Sequence, residues 1–399
     1  MYTYEMARPG SLRIKESAVP SCGADEALLQ TEAVSICSTD VSYHRGHLSS
    51  SVWPLTPGHE YVGRVVEVGS RLNSRVHVGD RMSYWGQTDF GGMAEYRAIR
   101  PILPGHTEET GWFTDRGFMD ADQAAAIIIP PDLPSELATA VEPLTSVLRS
   151  LLLNPPRPGD RCAVLGAGPS AILALQVLRK VMGAEVMVLD RNTDRLLVAA
   201  RYGAARVFDP IGQADELVEM AAREHGQVVD YVFDALPCIE SGNGPDVREL
   251  AMGLLRPAGT YVVYGASAIP QRINTWSILA KGLTLRATPF DVSSFPMARS
   301  ARVLEIALHY MTSGLVDVSP VFSEAIDLQD EAAVIRAFEQ YGAASSMKTS
   351  MLAGDARRAL VPSTPAADQA GSPVRERVLA PLGAVGHHRL SDGVLNPAG

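Results

Sequence analysis

The stretch Asp160-Arg161-Cys162-Ala163-Val164-Leu165-Gly166-Ala167-Gly168-Pro169-Ser170-Ala171 decides the fold. Its first six residues read as a short strand of the buried type, and a helix is expected from Pro169 to Met182. Between them, Gly166-x-Gly168-x-x-Ala171 stands in the strand–turn–helix context that a dinucleotide fingerprint requires. Gly166 permits the tight turn and Gly168 lets a pyrophosphate approach the backbone. Ala171, in the place of a third glycine, still allows the helix to pack closely on the strand. The helix N-terminus beyond offers unpaired N–H groups and a positive dipole end to the phosphates. The string alone is weak, because glycine-rich turns are common. A second strand, Ala184–Asp190, strengthens it by placing the Asp190 carboxylate about 20 residues past the second glycine, where it accepts hydrogen bonds from ribose hydroxyls. A carboxylate there repels a 2′-phosphate and favours NAD, while Arg191 beside it offers that phosphate a partner and keeps NADP open.

The alternation continues outward from this unit. Helix Thr193–Tyr202, strand Ala205–Phe208, helix Ala214–Glu224, strand Tyr231–Ala235, a helix ending at Met252–Leu255 and strand Gly259–Gly265 follow in turn. Strand and helix alternating over about 140 residues predict an α/β fold with a parallel, doubly wound Rossmann sheet. On the N-terminal side, up to about Pro104, short runs bounded by turns read as strands: Ala27–Val34, Tyr61–Gly69 and Glu95–Ile99. That region is expected to be mostly β, a small barrel or folded sheet. Past Lys281–Ala287 the pattern loosens, and Ala298–Thr312 reads as an amphipathic helix. Residues 354–399, rich in Ala, Pro, Gly and Ser, read as a mobile tail in which His387-His388 is incidental.

Composition narrows the function. With 399 residues, 46% hydrophobic and 20% charged, the chain is an ordinary globular protein of two or three domains. A net charge of −10 argues against nucleic acid or an anionic membrane as partner. No apolar run approaches the roughly 18 to 20 residues of a membrane helix, and the N-terminus shows no secretory pattern. Four scattered cysteines, Cys22, Cys37, Cys162 and Cys238, form no C-x-x-C pair. They fit a reducing cytoplasm and exclude a cysteine-rich structural zinc lobe. A bound metal must then use one Cys with ligands of other types.

Three segments carry such residues: Ile36-Cys37-Ser38-Thr39-Asp40, Gly58-His59-Glu60-Tyr61-Val62-Gly63 and Val141-Glu142-Pro143-Leu144. Taken singly, each has a plainer reading. Cys37 is a small buried hydrophobe, His59 a hydrogen-bonded structural residue, and Glu142 a helix N-terminal carboxylate. In this order, and in one chain with the dinucleotide fingerprint, they resemble the zinc-dependent medium-chain dehydrogenases, in particular the polyol and threonine dehydrogenase branch. The resemblance runs from about residue 10 to about residue 353.

The resemblance implies a GroES-like catalytic domain, residues 1–148 with 291–353 returning to it, and a Rossmann domain, 149–290, inserted between. It implies one catalytic zinc on Cys37, His59 and Glu142, with Glu60 a further ligand or a neighbouring carboxylate that exchanges with water. Thr39 joins Cys37 and His59 in the catalytic set as the hydroxyl that takes up or relays the substrate proton, and Asp40 fixes the site. The implied reaction is reversible oxidation of a secondary alcohol to a ketone. Zinc acts as Lewis acid and the nicotinamide takes the hydride. A polyol, cyclitol, amino sugar or hydroxy-amino acid is the implied substrate, and a homodimer or homotetramer the implied assembly. Three departures stand out. Ser42 replaces a relay histidine, leaving His44, His47 or water to substitute. Met82–Phe90 replaces the structural-zinc lobe, so no second zinc is held. Residues 105–122 look inserted, with Trp112, Phe113 and Phe118 serving either as a cover over the active-site mouth or as a packed surface loop. Two other readings stay open: a zinc-free reductase of the same superfamily acting on a quinone or enone, and a cofactor-binding protein without catalysis.

Overall fold

Five-residue strands such as Arg161–Leu165 and Glu185–Leu189, whose last four residues are apolar and buried on both faces, assemble as parallel neighbours. In the computed structural model they form the middle of a six-stranded, all-parallel sheet. Its order is Arg206–Phe208, Glu185–Leu189, Arg161–Leu165, Val229–Asp234, Leu255–Val263 and Thr284–Ala287. The described residues are 1–48, 53–72, 75–86, 91–105, 123–237, 246–265, 268–289, 297–343 and 346–360. The chain order reverses direction between Arg161–Leu165 and Val229–Asp234, the switch point where ligands of such sheets sit. Leu165 pairs with both Leu189 and Asp234, and Asp234 pairs with Val263. Four strands therefore end level, and the loops that follow them share one edge.

A second sheet takes strands from both sides of the first in sequence. Its order is Phe322–Asp327, Lys348–Leu352, Ala27–Ser35, Glu60–Val68, Arg81–Trp85, Gln123–Ile129 and Tyr96–Ile102. Tyr96–Ile102 also pairs back onto Ala27–Ser35, which closes the last five into a barrel. The helix Val141–Leu153 links the two sheets. It is buried along most of its length, its polar Glu142, Ser146 and Arg149 included, and packs on helices Pro169–Lys180 and Met297–Thr312. Residues Met1–Leu360 form one compact unit.

Differences from the sequence reading are local. Leu255, read as the end of a helix, opens a strand, because it pairs with Val229 ahead of a register shift. Thr284–Ala287 becomes the edge strand of the Rossmann sheet. Gly354–Leu360 forms a short 3₁₀ helix with Arg357 Nε 3.1 Å from Asp327 Oδ1, so ordered chain extends past 354. Residues 361–399, with the histidine pair, lie outside the described residues, as do 106–122 with their three aromatics, and Cys238.

Candidate metal and cofactor site

Cys37 directly precedes the helix Ser38–His44, and Asp40 on the first turn organises what surrounds it. Asp40 Oδ2 accepts the Cys37 N–H at 3.0 Å, while Oδ1 accepts the Gly58 N–H at 2.9 Å and lies 3.6 Å from His59 Nδ1. One buried carboxylate thus ties together the two segments that carry the cysteine and the histidine. Gly58 has φ +95° and a Cβ there would meet Met93 at 2.8 Å, so the turn that delivers His59 requires glycine. Glu60 opens the next strand opposite Ser35, which brings it beside Cys37.

The ligand atoms of Cys37, His59 and Glu60 lie within 4.8 Å of one another. Burial opposes a charge on His59, but Asp40 and Cys37 facing it outweigh burial and hold its pKa well above the ordinary value. Glu60 Oε1 accepts Lys348 Nζ at 2.5 Å, and both side chains are at most 2% exposed. Glu60 Oε2 is buried with no hydrogen-bond partner among the described residues. Sulfur, imidazole nitrogen and a carboxylate oxygen lacking a partner make a donor set that fits zinc.

Glu142 stands beside this group rather than within it. It is buried in the first turn of Val141–Leu153, with Ser146 Oγ 3.3 Å from its Oε1. Burial pushes it up to about 7; His59 opposes, Glu60 adds, and Lys348 and the Ser146 hydrogen bond oppose. Thr39 Oγ1 lies 3.7 Å from Cys37 Sγ. Ser42 is buried and its carbonyl accepts the His47 N–H at 2.8 Å. The His44 ring meets Phe338 edge-on at 5.5 Å, and burial lowers its pKa.

The fingerprint loop occupies the level edge of the Rossmann sheet. Gly166 has φ +89°, and a Cβ on it would press on Leu236 at 3.2 Å. A Cβ at Gly168 would meet only Arg195 Nη1, 3.9 Å away, so the backbone there is open to a phosphate. Pro169 begins the helix, and Ala171 is 2% exposed against the sheet. Asp190 Oδ2 accepts the Ala167 N–H at 2.6 Å and Oδ1 accepts the Asn192 N–H at 2.8 Å. An ionised carboxylate has about four lone-pair sites, so two are left for ribose hydroxyls. Arg191 is exposed. The loops of this edge and the donor set fit a dinucleotide and a zinc ion.

Sequence reading missed Lys348, Arg195 and Tyr264. Lys348 is the lone charge in Met347–Leu352 and lies 288 residues from Glu60, so nothing local in the sequence pointed to it. Arg195 Nη2 donates to the Ser346 carbonyl at 2.5 Å, joining the nucleotide side to the strand that carries Lys348. Tyr264 directly follows the strand Leu255–Val263 and packs on Phe233 at 4.9 Å.

Comparison with known proteins agrees with this geometry. Residues 23–107 match the alcohol dehydrogenase GroES-like domain, and residues 171–300 the zinc-binding dehydrogenase domain. The Mycobacterium tuberculosis protein named "Probable alcohol dehydrogenase adh" is 30% identical over 283 residues, 65% of this chain and 74% of that one. D-arabinitol dehydrogenase 1 of Uromyces fabae is 29% identical over 279 residues, 68% of this chain and 76% of that one. The crystal structure of RspB from Escherichia coli CFT073 with NADH superposes with a TM-score of 0.69 at 22% identity, covering 88% of this chain and 99% of that one. With both domains in the family's order on the expected fold, the chain belongs to the zinc-type medium-chain alcohol dehydrogenases and is a nicotinamide-dependent dehydrogenase of CH–OH groups.

Proposed function

We propose that the protein interconverts a secondary alcohol of the polyol, cyclitol, amino-sugar or hydroxy-amino acid class and its ketone, using one zinc ion and NAD. The observation that carries this reading is the buried Cys37, His59 and Glu60 group, flanked by Glu142. One relative is named an arabinitol dehydrogenase, which supports a polyhydroxylated substrate. When bound, zinc supplies a Lewis acid and NAD a hydride acceptor. The chain's own residues do the rest. Asp40 holds Cys37 and His59 in place, Thr39 receives or passes the hydroxyl proton at Oγ1, and Asp190 holds the ribose. Glu142 serves as the further carboxylate ligand. The chain is proposed to act as a homodimer or homotetramer in the cytoplasm. Trp276 and Leu279, 72% and 75% exposed on the helix Thr275–Lys281 that precedes the edge strand Thr284–Ala287, support self-association.

The experiment is a screen of polyols and cyclitols with NAD, combined with metal analysis. About one zinc per chain is expected. Two tightly bound ions per chain, or full activity with none, would sink the reading. Zinc uptake must also depend on pH. Glu142, pushed up to about 7, and His59, also raised, hold protons that a metal must displace. A raised group stays protonated at low pH, so affinity rises with pH. Between pH 6 and pH 8 a single group of pKa about 7 gives about a tenfold gain. Chelator competition at the two pH values reads it directly.

Asp190→Ser should weaken NAD binding, since a charge-assisted hydrogen bond contributes about 1.5–3 kcal/mol. It also removes repulsion against a 2′-phosphate, so the ratio of NADP to NAD preference should rise. An unchanged ratio would mean that Asp190 serves only the loop, through Ala167 and Asn192.

A further inference from the structure

Trp85 has no part in the site as described, yet it is connected to it. The strand Arg81–Trp85 ends in this indole, 2% exposed in the interior where barrel and linking helix meet. Its Nε1–H donates to Ser146 Oγ at 2.7 Å, and Ser146 Oγ lies 3.3 Å from Glu142 Oε1. A serine hydroxyl has one proton. With a lone pair committed to the indole, that proton is directed to the carboxylate. The neighbouring Thr145 shows the usual habit of a hydroxyl inside a helix, donating back to the Val141 carbonyl at 2.6 Å. Ser146 bonds a side chain instead.

The indole is also held across its face. The Arg149 guanidinium carbon lies 3.9 Å from the ring centroid, and Arg149 is 1% exposed. Glu142, Ser146 and Arg149 are spaced i, i+4, i+7 on one helix, so they share the face that receives Trp85. An apolar filler would need neither the N–H bond nor the stacked cation. We propose that Trp85 is a positioning residue for Glu142: its N–H sets the Ser146 rotamer, and Ser146 sets the orientation in which the carboxylate meets the metal group. This rests on the reading of Glu142 as a ligand.

The test compares the full chain with Trp85→Phe, Ser146→Ala, the double variant, Ser146→Thr and Glu142→Ala. Zinc affinity is measured by chelator competition, and ligand geometry by the visible absorption of the cobalt(II)-substituted protein. Thermal unfolding of the metal-free forms reports folding separately. Trp85→Phe and Ser146→Ala should each lower zinc affinity about tenfold, as loss of a hydrogen bond to a ligand does. Both should shift the cobalt bands. The double variant should be no worse than either single one, because the two residues act through one bond, and Ser146→Thr should keep affinity. Affinity and spectrum unchanged in Trp85→Phe, while Glu142→Ala loses metal, overturns the proposal and leaves the ligand reading standing. Wild-type affinity in Glu142→Ala overturns both. Should Trp85→Phe not fold, Ser146→Ala decides by the same two readouts.

Discussion

Replacing Thr39 with valine should lower turnover by at least about 100-fold, the usual effect of removing a proton-transfer group, while zinc content and NAD affinity stay as they are. Valine keeps the shape of threonine and deletes only the hydroxyl. That hydroxyl lies 3.7 Å from Cys37 Sγ, beside the proposed metal group, and a neutral hydroxyl is not among the usual protein donors to zinc. Thr39 lies on the helix Ser38–His44, outside the fingerprint turn and the Asp190 that faces it. The loss must therefore fall on the chemical step. Single-turnover hydride transfer shows it, with metal analysis and NAD titration as controls. If Thr39→Val transfers hydride at full rate, the hydroxyl only packs the first turn of its helix.

How much of this was legible in the sequence follows from how local each feature is. The fingerprint is a strand, a turn and a helix in one contiguous stretch. Gly166 takes φ +89° where a turn was read, and Asp190 directly follows the adjacent strand, accepting the Ala167 N–H of that turn. The candidate ligand residues were equally legible, because Cys37, His59 and the two glutamates sit in short segments with recognisable neighbours. Their arrangement was not. Cys37 and His59 meet through Asp40, which reaches across to Gly58, and a strand register against Ser35 puts Glu60 into the group while Glu142 stands beside it. No spacing rule contains that register. The partners of the two carboxylates were the least visible: Lys348 comes from the far end of the chain and Trp85 from another strand. Each pairing exists only once segments far apart in the chain have come together in the fold.

Lys348→Met should destabilise the metal-free protein by about 3–5 kcal/mol, the cost of leaving a buried charge without its partner. Methionine keeps a flexible stem of similar length and removes only the ammonium. What is left is Glu60, fully buried, with Oε1 deprived of its 2.5 Å bond and Oε2 already lacking a hydrogen-bond partner. Burial lowers the pKa of Lys348, but Glu60 and Cys37 raise it further, to well above the ordinary lysine range. A raised lysine contributes stability that is fully present below its unfolded pKa and is lost only as pH climbs through the folded one. Lys348 is thus charged throughout the neutral range. Zinc changes the comparison, because a cation beside Glu60 supplies the compensation that the lysine gave. Denaturant unfolding of the variant, metal-free and zinc-loaded, should therefore show the larger loss without metal. Equal losses in the two states would mean that the Glu60 carboxylate never meets the metal, and that its bond with Lys348 belongs to the fold alone.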